Sequence, residues 1–385
     1  MSKLRCPPVS AALLIAAVSC ARIDAGAAEL TPLPLTDSAL TSDVQALPGL
    51  PYIWQYTEVE GARCRDGSPA GVATNFVPGS KKLMIYLEGG GFCLDETSCS
   101  VNFAKASDQT ALLGTLIGVG GWFDRLALDN PLRDFNFVYV PYCTGDLFSG
   151  ANPFGNVPGV GAQRFVGYLN MQRFLLRIAA TFPDATNVVL SGGSAGAIGA
   201  IRTSLLVQRA FPEVRFGVVS DSGPPLSKEV YAPCLQRRER ELFALDETIL
   251  AECGAACPDP DNAWLDFSVF AARQLRDRPL GLIQSLDDWG IAGFLGAGND
   301  GCTDPDLQRT IPAEALHAEL LQLRARFAEL PNFSTFYLAS DNHTWTSGAP
   351  LQGFGDYRSA RAGTLRLTEW LGIIARGDVP AAAGP

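Results

Sequence analysis

Gly192-x-Ser194-x-Gly196 is the segment of this chain with the clearest chemical content, because an apolar run opening at Asn187 leads into it and an alanine-rich stretch leaves it at Ala195. A strand that turns sharply into a helix pushes the central hydroxyl outward, and only small residues fit on either side of it. That is the setting of a nucleophilic serine. Such a serine needs an imidazole base, and the chain has two histidines, His317 and His343. His317 falls in an amphipathic pattern with Leu316, Leu320, Leu323 and Phe327, where a structural role is the ordinary reading. His343 follows the apolar run STFYLAS and is expected to be the base. Where a strand–turn–helix elbow carries the serine, the acid lies between nucleophile and histidine in chain order. Asp287 and Asp288 stand together after LGLIQSL, and Asp221, after FGVVS, is a third candidate. All three also suit helix caps and turns.

Attack on a carbonyl needs donors for the developing oxyanion. Gly89-Gly90-Gly91 follows the apolar run LMIYL, upstream of the serine, and Ala195 opens the helical stretch after it. Backbone N–H groups from both places meet the requirement, and no Lys-Ser/Thr follows the glycines as a nucleotide loop would demand.

Holding these residues requires a sheet. Six short apolar runs, LMIYL, FNFVYV, NVVLSG, FGVVSD, LGLIQSL and STFYLAS, alternate with longer segments, as buried parallel strands alternate with crossover helices. Helices are expected at 167–182, 195–210, 261–276 and 313–329. The simplest account is an α/β, doubly wound, mostly parallel sheet in a single domain over 28–385, with a cap-like insertion at about 226–263, where charges and three cysteines cluster.

Composition narrows the function. The 385 residues are 47% hydrophobic and 18% charged, enough apolar material for a large core. A net charge of −10 argues against nucleic-acid binding through phosphate neutralisation. Lys3 and Arg5 precede an apolar run at 9–18, too short to span a bilayer, and Ala25-Gly26-Ala27 offers small residues for cleavage, so residues 1–27 are expected to be a signal peptide. The alternative is a lipoprotein anchored through Cys20. No other run is long enough for a membrane span. Eight cysteines remain past residue 27, an even set that suits disulfides in an oxidising compartment. Cys93 and Cys99 are expected to pair across a short loop; the other pairings stay open. Zinc is disfavoured, since Cys253 and Cys257 have no second pair or histidine nearby.

Several of these segments together resemble the pectin acetylesterase/Notum family of serine esterases. The landmarks are Cys64-Arg-Asp-Gly-Ser-Pro-Ala-Gly71, Leu87-Glu-Gly-Gly-Gly-Phe-Cys93, Pro141-Tyr-Cys-Thr-Gly-Asp-Leu-Phe-Ser-Gly150, Gly192-Gly-Ser-Ala-Gly196, Asp221-Ser-Gly223, Leu286-Asp-Asp-Trp289 and His343, in order over about 280 residues. The resemblance implies an α/β-hydrolase fold, a Ser194–Asp287–His343 triad, an oxyanion hole of Gly90, Gly91 and Ala195, and hydrolysis of an O-acyl ester without metal or organic cofactor. Its acid falls on Asp287, with Asp288 at a small-residue position. The implied substrate is an acylated carbohydrate, with longer-chain acyl esters or small esters as the alternative and a non-catalytic binding protein a third reading. Trp289 and Trp345 flank the site candidates and are expected to touch substrate. Notum members carry an aromatic residue where Gly91 stands, and plant members read Cys-Ser-Ala-Gly-Gly where this chain has Gly193-Ser194-Ala195-Gly196-Ala197. Both departures bear on acyl and alcohol preference.

Overall fold

The structure is a computed structural model that describes residues 44–107, 109–112, 121–298, 302, 310–346 and 353–385. The signal-peptide and Cys20 expectations lie outside the described residues. In chain order the first half contains β1 (Gln55–Arg63), β2 (Pro69–Asn75), β3 (Lys82–Leu87), α1 (Glu96–Ser100), β4 (Asn136–Val140), β5 (Asn152–Val157), β6 (Gly161–Phe165) and α2 (Gly167–Thr181). The second contains β7 (Asn187–Gly193), α3 (Ala195–Arg202), α4 (Ser204–Ala210), β8 (Arg215–Asp221), α5 (Pro233–Phe243), α6 (Ile249–Cys253) and α7 (Ala263–Gln274). It ends with β9 (Leu280–Ser285), α8 (Trp289–Gly296), α9 (Ala313–Phe327), β10 (Phe333–Leu338) and α10 (Leu367–Ala375).

Eight strands form one sheet in the order β1-β2-β4-β3-β7-β8-β9-β10. From β4 to β10 every neighbouring pair is parallel, and β1 and β2 complete one edge as antiparallel strands. The six parallel strands are the six apolar runs of the sequence. They are buried on both faces, and their residues alternate between two cores. Leu83, Ile85, Leu87, Val188 and Leu190 face one core, while Met84, Tyr86, Val189 and Ile283 face the other with Trp370 and Trp345. This is an α/β-hydrolase fold. The expected helix at 195–210 divides into α3 and α4 around Thr203. The edge strands β1 and β2 were not anticipated; in β1 exposed and buried residues alternate, so it lacks an apolar run.

Among the described residues four disulfides join Cys64–Cys143, Cys93–Cys99, Cys234–Cys302 and Cys253–Cys257. The first two brace the loops after β3 and β4. Residues 226–263 include α5 and α6, and a buried Arg202–Glu239 ion pair ties α5 to the C-terminal end of α3.

Candidate active site

Parallel strands deliver their C-terminal ends to one edge of a sheet, and loops there can share a site. The ends of β3, β7, β8, β9 and β10 lead respectively to Gly89–Gly91, Ser194, Asp221, Asp287–Asp288 and His343.

Ser194 sits between β7 and α3 with φ 55° and ψ −121°, in left-handed backbone that a serine occupies only under constraint. The constraint is contact. A Cβ on Gly196 would lie 2.0 Å from the Leu87 carbonyl oxygen, and one on Gly192 would lie 2.3 Å from that of Gly196. Glycine is therefore required on both sides of the turn. The Ser194 N–H donates to the Asp221 carbonyl at 2.8 Å, and Ser194 itself stays partly exposed.

The glycine loop lies directly against this turn, since a Cβ on Gly89 would come within 3.2 Å of Ser194 Cβ. Gly90 and Gly91 have φ of 144° and 71°, which turns the loop back on itself. Asn102 Nδ2 donates to the Gly90 carbonyl at 2.8 Å and fixes that turn. Ala195 opens α3, so its amide has no acceptor within the helix and stands at the positive end of the helix dipole. Glu88, at the start of the loop, accepts from the Tyr142 N–H at 2.8 Å, yet burial pushes its carboxyl up to about 7.

His343 is buried and its Nδ1 lies 2.7 Å from Asp288 Oδ1. The same oxygen accepts from the N–H groups of Gly290 and Ile291 at 2.9 and 3.0 Å, and Gln284 Nε2 donates to Oδ2 at 3.0 Å. Asp288 is thus the N-cap of α8 and the partner of the imidazole at once. The expectation for Asp287 is corrected here: Asp287 is exposed, its N–H reaches the Ser340 carbonyl at 3.1 Å, and the side chain turned inward is the next one along. A carboxylate immediately before a helix was the available sign, because an N-cap side chain folds back over the first turn. His317 lies on α9 and has no hydrogen bond to any of these residues among those described.

The tryptophans separate as clearly. Trp289 is 48% exposed, with its ring centroid 5.6 Å from that of His343 and its indole N–H donating to the Gly353 carbonyl at 3.0 Å. Trp345 is corrected as a substrate contact: it is only 7% exposed, sits in the core, and its indole N–H is taken up by Ser285 Oγ at 2.9 Å. Two features were not anticipated. Phe294 of α8 occupies the space at Gly91, where an added Cβ would lie 2.7 Å from its ring. Asp221 does not pair with the imidazole; its carboxylate accepts from the N–H groups of Trp345 and Thr346. Among the described residues no cluster of His, Cys, Asp and Glu has the arrangement of a metal site.

A serine on a constrained strand-to-helix turn, beside a glycine loop on an α/β-hydrolase sheet, is an arrangement in which a hydroxyl can act as a nucleophile. The pectinacetylesterase family model matches residues 48–240, and this chain belongs to that family. Palmitoleoyl-protein carboxylesterase notum1 of Xenopus laevis is 29% identical over 180 residues, covering 44% of this chain and 36% of the relative. Pectin acetylesterase 7 of Arabidopsis thaliana is 29% identical over 154 residues, covering 38% of each chain. The chain thus spans little more than a third of the length of these curated relatives. The solved structure of the Wnt deacylase Notum from Drosophila superposes with a TM-score of 0.60 at 19% identity, over 86% of this chain and 96% of that one.

Proposed function

We propose that the protein is a secreted serine carboxylic-ester hydrolase that removes O-acetyl groups from a polysaccharide. Ser194 is its nucleophile, His343 the general base and Asp288 the acid. The observation that carries this reading is the convergence, on one sheet edge, of the constrained Ser194, the glycine loop packed on it, and the His343–Asp288 pair at 2.7 Å. The histidine loop also reaches the serine turn, because a Cβ on Gly193 would lie 3.3 Å from Thr344 Cγ2.

In the reaction His343 takes the Ser194 proton as the oxygen attacks the acyl carbonyl, and Asp288 holds the ring with Nδ1 protonated and stabilises the imidazolium. His343 then protonates the leaving alcohol. Water, with His343 again as base, releases the acid from the acyl-enzyme. Amides of Gly90, Gly91 and Ala195 stabilise the oxyanion, each contributing about 3 to 4 kcal/mol at the transition state. Four disulfides support the secreted reading.

Acetyl is favoured over long chains by Phe294, whose ring fills the space beside the glycine loop. The second reading, a deacylase of longer acyl chains, is favoured by the palmitoleoyl-protein carboxylesterases among the relatives. Nitrophenyl esters from acetyl to octanoyl, together with acetate release from acetylated polysaccharides, decide between them. Maximal turnover of acetyl supports the first reading and a preference for octanoyl the second, while equal activity of wild type and Ser194→Ala refutes both.

A further inference from the structure

Asp221 is fully buried at the end of β8 and has no part in the reaction just described. Its contacts run to both sides of the site. The carboxylate accepts from the Trp345 N–H at 2.8 Å, the Thr346 N–H at 2.7 Å and the Thr346 hydroxyl at 2.6 Å. Its main-chain carbonyl accepts the Ser194 N–H at 2.8 Å. The next residue continues the pattern: Ser222 Oγ accepts the Thr344 N–H at 3.0 Å, and the Ser222 N–H is anchored on the Ile283 carbonyl at 2.9 Å. The three residues that follow His343 therefore have their amides held by one dipeptide of a different strand.

Backbone conformation shows what this grip resists. Ser194, Ser222 and Thr344 have φ of 55°, 63° and 55°, and Thr344 is β-branched, so left-handed backbone there is unfavourable. Such conformations persist where the surroundings over-determine them. Asp221 or Ser222 makes a hydrogen bond to the amide of Ser194, of Thr344 and of each of the two residues after it, and the Thr344 carbonyl also accepts the Gly355 N–H at 2.9 Å. A carboxylate is suited to this, since three donors converge on one of its oxygens.

We propose that Asp221 is a positioning residue for the hydrolysis: its carboxylate sets the loop that carries His343 while its main-chain carbonyl sets Ser194, keeping base and nucleophile in register. The proposal rests on the assignment of those two residues in the preceding section. The ionisable groups around the pair are Asp288 against His343 from the start of α8, Tyr86 facing Asp221 from β3, and Glu88 facing Tyr86. Asp221 and His343 also interact electrostatically, the imidazolium favouring the ionised carboxylate.

The test compares the full chain, disulfides intact, with Asp221→Ala, Asp221→Asn, Ser222→Ala and Ser194→Ala, using nitrophenyl acetate from pH 5 to 9 and thermal melting of each variant. Asp221→Ala is expected to lower kcat about 100-fold with KM nearly unchanged, as displacement of a catalytic group by about 1 Å would. Asp221→Asn can place its amide oxygen where the donors converge, and is expected to recover most of that loss. Its acid limb is expected at lower pH than in wild type, because a charge that favours the imidazolium is gone. Ser222→Ala is expected to lower kcat about tenfold, on the same reasoning for a single lost acceptor. A folded Asp221→Ala with wild-type kcat, or an Asp221→Asn as inactive as Asp221→Ala with an unmoved acid limb, overturns the proposal. If Asp221→Ala does not fold, an unmoved acid limb in Asp221→Asn with unchanged kcat in Ser222→Ala overturns it equally. Full activity in Ser194→Ala instead removes the underlying assignment, whatever the Asp221 variants do.

Discussion

Asp288→Asn and Asp287→Asn, compared side by side, are expected to differ in kcat by about three orders of magnitude. The Asp288 oxygen that meets His343 also receives the Gly290 and Ile291 N–H groups, so only an acceptor can stand there. Asparagine will therefore turn its oxygen to that position, keep the cap of α8 and leave the ring with Nδ1 protonated. What it loses is charge, together with the acceptor that Gln284 Nε2 meets. A carboxylate about 4 Å from the centre of an imidazolium stabilises it by about 4 kcal/mol at an effective dielectric near 20, or roughly 10³ in rate. Asp287 is exposed and touches neither ring nor cap, so its asparagine variant is expected within about twofold of wild type. The assay is kcat for nitrophenyl acetate at pH 8, with circular dichroism to confirm folding. Equal effects, or the larger loss at position 287, would refute the assignment of the acid.

Other expectations follow from single contacts. Phe294→Ala removes the ring beside Gly91 and is expected to raise kcat/KM for butanoyl relative to acetyl esters about tenfold, each added methylene gaining about 0.8 kcal/mol if buried; an unchanged ratio places the acyl group elsewhere. Trp289→Ala is expected to raise KM on acetylated oligosaccharides more than on nitrophenyl acetate, because the exposed ring next to His343 can stack on a sugar; equal KM changes would exclude stacking. Burial pushes Asp146 and Asp221 up to about 6 and Glu88 up to about 7. A carboxyl raised on folding binds its proton more tightly in the native state, so these groups favour folding more as pH falls from about 7 toward 4.5, each by up to about 3 kcal/mol. Melting temperature is expected to rise between pH 8 and pH 5, and a fall over that interval would mean that the three are not desolvated.

Much of the architecture could be read before any coordinates, because buried parallel strands are continuous apolar runs that stand out from their surroundings. Ser194 stood out as a candidate because a strand, two glycines and an alanine-rich stretch coincide around it, and His343 because it follows the last such run. Asp288 was not separable from Asp287 by spacing, since which of two neighbours turns inward depends on the backbone between β9 and α8. The resemblance to the family pointed to Asp287, one residue before the carboxylate that meets His343. Trp289 and Trp345 are alike in sequence position relative to the site, but one lies on the surface and the other fills the core beneath the histidine loop. The role of Asp221 required knowing that β8 lies between β7 and β9. The long-range disulfides, 79 and 68 residues apart, depend on loops brought together by the sheet.

The central claim is that the Ser194 hydroxyl is the attacking group. Incubation with a nitrophenyl dialkyl phosphate, followed by intact-mass and peptide mass spectrometry, tests it directly. One phosphoryl adduct per chain on the peptide containing Ser194, formed in step with loss of esterase activity and absent from Ser194→Ala, is the expected result. Inactivation with the adduct on another residue, or undiminished hydrolysis by Ser194→Ala, would contradict the account.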